Sequence, residues 1–428
     1  MLAAENKDKD HGNWVSHPGW SALVACTLVC KAWYLRSWDH LHWQISLRKR
    51  DQVATLAKLF RAEPQLRRAV QRITIAGGLD KDQQRLPIPH LATFAATLVR
   101  MLPNVTELMV RHAEWRLADV RVQLVSHLDA FRSAESLKLV NVTFASAMLF
   151  GRLLAALPSL ERLGCISVRF PQKEPGPLVL PPPVPRMSGK LGAVSLCEPV
   201  DPAIQALLVR CAEADGCKLQ WLVLEVDVPS EGTLASMKGQ QLLDSSVAHL
   251  VFFGLKLYTE DIAPEAQNKA LEPYLNLSRA AKLRHLTIDT SCPNQPDFSW
   301  LATILATVES DGLQRVAISF GFHKKDDAVR RLEILFDRLE QNDDLTLMDD
   351  VLARKQFTNT KPGAFFMFLD VGSSSGALTA SDGLGNRWHE LVRRKMPQIA
   401  KHNMLGYVSN TPPRQWTLTS CRAFSTYP

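Results

Sequence analysis

Residues 219–224, LQWLVL, and 283–288, LRHLTI, share one arrangement: apolar, two free positions, apolar, one free position, apolar. It recurs in VQRITI (70–75), VTELMV (105–110), AESLKL (134–139), LERLGC (160–165), LGAVSL (191–196), VAHLVF (247–252) and LQRVAI (313–318). The fourth position of each unit falls at 73, 108, 137, 163, 194, 222, 250, 286 and 316. Successive units are therefore 35, 29, 26, 31, 28, 28, 36 and 30 residues apart, a loose period near 30. The last four residues of each hexamer alternate, which is the signature of a short strand with one face buried. Between them lie stretches of helical spacing: DQVATLAKLFRA, PHLATFAATLVRML, SAMLFGRLLAAL, DPAIQALLVRCA, DFSWLATILATV and DAVRRLEILFDRL. Several open on Asp or Ser, as an N-cap requires. One such unit cannot bury its apolar face alone, so the stack is the stable object. The expected fold is α/β: an irregular leucine-rich-repeat-like solenoid, a curved parallel sheet with outer helices. A layered βα domain uses the same alternation but seldom repeats it nine times at one pitch.

The pattern predicts three parts. Residues 1–47 form a disordered N-terminus plus short helices, 48–322 the solenoid, and 323–428 a C-terminal cap with a flexible loop at 372–386. The proline-rich PQKEPGPLVLPPPVPRMSGK (171–190) cannot hold a helix, because proline fixes φ and removes a donor. YTEDIAPEAQNKALEPYLNLSRA (258–280) lengthens one convex-side segment. AFFMFLDV (364–371) reads as a strand and RWHELVRRKMPQIAKH (387–402) as a final helix covering the last repeat.

Composition excludes several classes. Fifty Lys and Arg against 43 Asp and Glu give +7 over 428 residues. The basic residues are scattered, and the densest groups, RKR at 48–50 and RRAVQR at 67–72, read as solvated faces rather than a nucleic-acid surface. No run reaches the ~18 apolar residues of a membrane span, and the polar opening MLAAENKDKDHGNW lacks a signal peptide's apolar core. An intracellular, cytoplasmic or nuclear, protein with reduced thiols is expected. Its eight cysteines, at 26, 30, 165, 197, 211, 217, 292 and 421, form no CxxC pair or framework.

Motifs for chemistry are weak, and a protein that is not an enzyme and carries no cofactor or metal is expected. GSSSG (372–376) matches a nucleophile elbow around Ser374, but ALTASDGLG follows where a helix is needed, and Asp382 and His389 come too soon. Cys26 and Cys30 would need two more ligands for zinc; His40 and His42 lie on a segment heading into a strand. Asp343-Asp344 and Asp349-Asp350 read as a solvated helix boundary. There is no glycine-rich phosphate loop.

On each strand, the residues flanking the central apolar position point to the open face. This places Arg72 and Thr74, Glu107 and Met109, Ser136 and Lys138, Arg162 and Gly164, Ala193 and Ser195, Trp221 and Val223, His249 and Val251, His285 and Thr287, and Arg315 and Ala317 there. Trp221, Val223 and Val251 make an apolar centre rimmed by His249 and His285, with Lys138 and Arg162 further out. A large aromatic among polar groups is the composition of a binding hot spot, and basic flanks suit an acidic or phosphorylated protein target. The alternative is that Trp221 packs under a loop such as the proline-rich one.

Ahead of the repeats, SALVACTLVCKAWYLRSWDHLHWQISL (21–47) reads as a helix from about Ala22 to Trp33. Leu23, Cys26, Cys30 and Trp33 then share one stripe, the cysteines acting as small apolar fillers. The stretch resembles the second half of an F-box, as in fungal F-box proteins with leucine-rich-repeat-like tails. The matching residues are Leu23, Cys26, Leu28, Val29, Cys30, Lys31, Ala32 and Trp33, then Leu41 and Ile45-Ser46-Leu47. RRAVQRITI, LPNVTELMV and MPQIAKHNMLGYV sit where such proteins carry similar phrases. The Leu-Pro motif and apolar first helix of the family have no counterpart in MLAAENKDKDHGNWVSHPGW. The resemblance implies a non-catalytic substrate-recognition subunit of a Skp1–cullin–F-box ubiquitin ligase. In it, Leu23, Cys26, Leu28, Val29, Cys30 and Trp33 would meet a Skp1-like adaptor while the open face holds the target. A stand-alone repeat scaffold without ligase coupling is the other reading.

Overall fold

The computed structural model describes residues 20–82, 84–116, 127–171, 189–197, 200–213, 217–227, 236–258, 275–291, 298–321, 328–354, 357, 365–370 and 384–401. Two helices open the chain, α1 (Trp20–Cys26) and α2 (Lys31–His42). There follow β1 (Gln44–Leu47), α3 (Arg50–Ala62), α4 (Leu66–Ala69), β2 (Arg72–Ala76), β3 (Leu86–Pro87), α5 (His90–Thr97), β4 (Glu107–Trp115), β5 (Ser136–Phe144), α6 (Ala147–Ala155), β6 (Arg162–Ile166) and β7 (Ala193–Cys197). The second half carries α7 (Pro202–Glu213), β8 (Trp221–Asp227), α8 (Ser236–Ser246), β9 (Phe252–Tyr258), β10 (His285–Ser291), α9 (Ser299–Ala306) and β11 (Arg315–Gly321). It closes with α10 (Ala328–Gln341), α11 (Asp344–Leu352), β12 (Phe365–Asp370), α12 (Leu384–Lys395) and α13 (Pro397–Lys401).

The strands form one 12-stranded sheet in which β1, β2 and β4 to β12 lie side by side in chain order, with β3 an extra pair on β4. Every named pair is parallel. The register aligns the fourth positions of the hexamers: Ile73, Leu108, Leu137, Leu163, Val194 and Leu222 stand in one row. Leu286 and Val316 continue it. All are buried, each contributing about 1.5–3 kcal/mol by leaving water.

The seventh unit departs from expectation. The row continues through Phe253, not Leu250, so VAHLVF is read three residues too early. The stretch VAHLVFFGLKLY satisfies the hexamer twice, and only the later frame carries the alternation on through Leu255 and Leu257. With Phe253 in place the steps of 28 and 36 become 31 and 33.

A second regularity is not visible in the pattern. Ahead of β1, β2 and β4 to β10, one carbonyl oxygen accepts two backbone N–H groups from the next unit. Gln71 and Arg72 donate to Trp43, Thr106 and Glu107 to Gln71, Glu135 and Ser136 to Thr106, and so on. The row ends with Arg284 and His285 on Val251 and Gln314 and Arg315 on Arg284. These bonds satisfy turn donors that burial would otherwise orphan.

The sheet exceeds the expected 48–322 span at both ends, since β1 precedes it and β12 follows. All six sequence-read helical stretches are helices. Ser146 caps α6 by accepting the Leu149 N–H at 3.3 Å, and Asp201 accepts the Ala203 N–H at 2.8 Å at the start of α7. A kink recurs at His112 in β4, at Asn141 in β5 and at Ser167 directly after β6, with φ 49°, 55° and 53°. Left-handed backbone costs about 1–2 kcal/mol per residue. Arg85 offsets that cost: its Nε donates to Asn141 Oδ1 at 2.6 Å, and its other nitrogens to the Thr143 hydroxyl and the Ser167 carbonyl. Asn141 Nδ2 in turn meets His112 Nδ1 at 3.1 Å. Beyond the kink, Ala113, Val142 and Val168 return to the core.

The acidic pairs form a solvated boundary only in part, with Asp343 and Asp350 exposed. Asp344 and Asp349 are only 5% and 2% exposed. Asp344 accepts the Phe298 N–H at 3.0 Å, and Asp349 accepts those of Gln398 and Ile399 at 2.9 and 3.0 Å. A buried carboxylate is tolerated because it meets backbone donors that helix starts leave unpaired. The proline-rich segment 172–188 and residues 371–383, with Ser374 and Asp382, lie outside the described residues, as do residues 1–19 and most of the 258–280 insertion; the end of the expected 372–386 loop, 384–386, instead opens α12.

Candidate functional site

The N-terminal stretch is not one helix. Thr27 and Leu28 close tight turns onto Val24 and Ala25, and the Thr27 hydroxyl donates to the Val24 carbonyl at 2.6 Å. A hydroxyl that bonds its own preceding turn competes with helix propagation. The chain breaks there, and Cys30, in extended conformation, becomes the residue before α2. The single stripe of Leu23, Cys26, Cys30 and Trp33 is therefore corrected: Leu23 and Cys26 are half-buried on α1, whereas Cys30 is exposed.

The break turns apolar side chains outward. Leu28, Val29 and Trp33 are 84%, 65% and 54% exposed, and Val24 and Tyr34 are exposed beside them. Five of the eight exposed large apolar side chains among the described residues thus fall within eleven positions. Apolar residues clustered this way mark an interaction surface, unlike the same residues scattered singly. Tyr34 stacks on Trp38 with centroids 5.2 Å apart, and Trp38 packs partly against the core, so the cluster stands on a braced helix.

The second candidate surface is the open face of the sheet. Its first row runs Gln44, Arg72, Glu107, Ser136, Arg162, Ala193, Trp221, Phe252, His285 and Arg315. The second runs Ser46, Thr74, Met109, Lys138, Gly164, Ser195, Val223, Gly254, Thr287, Ala317 and Phe366. The structure brings Trp221, Val223, Lys138, Arg162 and His285 to this face as expected. It does not bring His249 or Val251: both precede β9, and Val251 supplies the turn carbonyl for Arg284 and His285.

Phe252 and Gly254 take those two places. Phe252 lies under Trp221, the rings 4.4 Å apart and within 12° of parallel. A Cβ on Gly254 would stand 3.2 Å from both the Phe252 ring and a Val223 methyl, so glycine leaves room for the ring. Arg315 lies over the Phe366 ring at 4.4 Å. Phe252 and Phe366 were missed for different reasons: the first by the frame of the seventh unit, the second because β12 was assigned to the cap. The run of alternation through Leu257 is the signal that finds Phe252.

Charge on this face is organised by pairing. Arg72 contacts Glu107 at 2.6 Å and lies over Trp43 at 4.7 Å; Arg162 reaches Glu135 at 3.4 Å. Burial lowers the Lys138 pKa, with Glu107 pulling the other way. Burial, then the Arg315 and Arg284 guanidiniums, holds the His285 imidazole below its usual range, and burial does the same to His90. Both are neutral in the fold near pH 7, while in the unfolded chain they take up protons below about pH 6.5. Stability present above that pH is therefore lost as pH falls toward their depressed folded values. Denaturation midpoints between pH 7.5 and 5 are expected to drop less in His90→Gln and His285→Gln than in the parent; an identical drop rules these groups out.

Among the described residues, no three His, Cys, Asp or Glu side chains gather as a metal-binding group. His40 and His42 lie at the end of α2, which leads into β1, as expected. The described cysteines are free thiols. Burial pushes those of Cys197 and Cys211 up to about 12 and raises those of Cys165 and Cys217, which makes all four poor nucleophiles. No described helix is long and apolar enough to cross a membrane.

No family model matches the chain, and no curated protein matches it. Among solved structures it is similar to a chain of the Drosophila Toll–Spatzle complex, with 16% identity and a TM-score of 0.21, over 60% of this chain and 33% of that one.

Proposed function

We propose that this chain is a non-catalytic recognition subunit built as an F-box-like docking helix pair followed by a leucine-rich-repeat-like solenoid. The helix pair α1–α2 meets a Skp1-like adaptor, and the open face of the sheet holds a protein target for ubiquitin transfer. The observation that carries the reading is the exposed cluster of Leu28, Val29 and Trp33 at the head of a regularly stacked sheet. An adaptor that covers these side chains removes their apolar surface from water, which is the main driving force for such docking. Target lysines are then held near a charged conjugating enzyme, and the rate rises through effective concentration. This needs no catalytic group in the chain itself.

Co-expression with a Skp1-like adaptor is expected to yield a complex that survives gel filtration. Leu28→Asp combined with Trp33→Asp is expected to abolish it while leaving the unfolding midpoint unchanged, because both side chains lie on the surface. An unpaired parent chain, or capture by the double variant, rejects the adaptor half. A parent that binds targets without the adaptor points instead to a stand-alone scaffold.

A further inference from the structure

Charge on the open face is uneven along the sheet. On β2 to β6, Arg72, Arg111, Lys138 and Arg162 face outward against two carboxylates of the same strands, Glu107 and Glu114, of which Glu114 pairs with Arg116 at 2.7 Å, while Glu135 reaches Arg162 from the preceding turn. On β8 to β11, Lys256 and Arg315 are balanced by Glu225 and Asp289. Between the two halves, β7 presents only Ala193, Ser195 and Cys197. The neutral half holds the Trp221–Phe252 stack.

The cations are spread over adjacent strands instead of converging. From β2 to β6 there are three strand steps, about 14 Å at ~4.8 Å each. That is the reach of about four residues of extended chain. One phosphate could neutralise one or two of these groups but not the row; a run of carboxylates matches the spacing. From β6 to Trp221 on β8 there are two more steps, about 10 Å, or about three residues.

We infer that the open face binds an extended acidic segment lying across the strands, about four acidic residues over β2–β6, with a large apolar residue some three positions beyond against Trp221. The carboxylates give charge complementarity and orientation, and the apolar residue supplies the anchor that a desolvated aromatic centre rewards. This deepens the target-binding half of the proposed function and does not depend on the adaptor half.

The probe is a fluorescent peptide of four aspartates, two Gly/Ser spacers and a leucine, with an asparagine copy and a copy ending in serine. Anisotropy titration of the full chain is expected to show the aspartate peptide at least tenfold tighter than the asparagine one, the difference shrinking with added salt. Lys138→Gln and Arg162→Gln are each expected to cut that difference threefold or more. Lys138→Arg should retain it, as should the distant Lys282→Gln. The loss from leucine to serine is expected to vanish in Trp221→Ala. Equal binding of the aspartate and asparagine peptides overturns the acidic run. If Trp221→Ala weakens both alike, the face remains a target site. Equal affinity for a peptide with a single phosphoserine overturns the extended run in favour of a point anion. No binding by any peptide overturns the target-face reading too, whatever the adaptor experiment gives.

Discussion

Trp388→Ala is expected to cost about 3–5 kcal/mol, the range for emptying a fully buried large aromatic site. Trp388 is 1% exposed and is the largest fully buried side chain among the described residues. Its ring packs edge-on against Phe320 of β11 at 5.7 Å and Phe336 of α10 at 6.0 Å. Phe320 in turn meets Phe298 at 5.3 Å. One residue of α12 therefore closes the aromatic layer beneath the end of the sheet. The surface pairs between α12 and α10, Arg387 with Asp337 at 3.2 Å and Arg394 with Glu340 at 3.1 Å, are exposed and worth far less. Urea unfolding checks the value, and limited proteolysis within 384–401 checks the place. Trp388→Phe should lose less than half as much. A loss below 1 kcal/mol for the alanine variant would show that α12 is not a structural cap.

Asp349→Ala is expected to cost about 2–4 kcal/mol, because two backbone donors at the start of α13 lose a charged acceptor inside the protein. Asp350→Ala, one residue on, touches only the exposed Gln398 side chain and should stay within about 0.5 kcal/mol. Hydrogen exchange reads the effect directly: the Gln398 and Ile399 amides should lose protection in the Asp349 variant and keep it in the Asp350 variant. Equal losses from both substitutions would mean that the bonds to Asp349 do not hold α13 in place.

These two sites differ in how far the sequence announces them. Trp388 sits in a stretch whose helical period and place after the repeats mark it as a cap. Asp349 gives no such sign: DD reads as solvent-facing until the fold brings Gln398 and Ile399 against it. The same division runs through the candidate surfaces. Trp221 is found by counting from Leu222, because alternation along a strand is local. Phe252 is not, since VAHLVFFGLKLY supports two frames and only pairing with β8 and β10 chooses between them.

The sequence by itself determined the strand–helix alternation, the parallel pairing of successive units and the apolar row beneath the sheet. Each follows from periods of two and 3.6 residues written within a few neighbours. Only the tertiary structure decided the frame of β9, the break at Thr27–Cys30 that exposes Leu28 and Trp33, and the burial of Asp344 and Asp349. Those depend on partners roughly 30 to 50 residues away or on one hydroxyl bond competing with a helix turn. A pattern of apolar residues records which side of a segment leaves water, but not which donor or ring waits there.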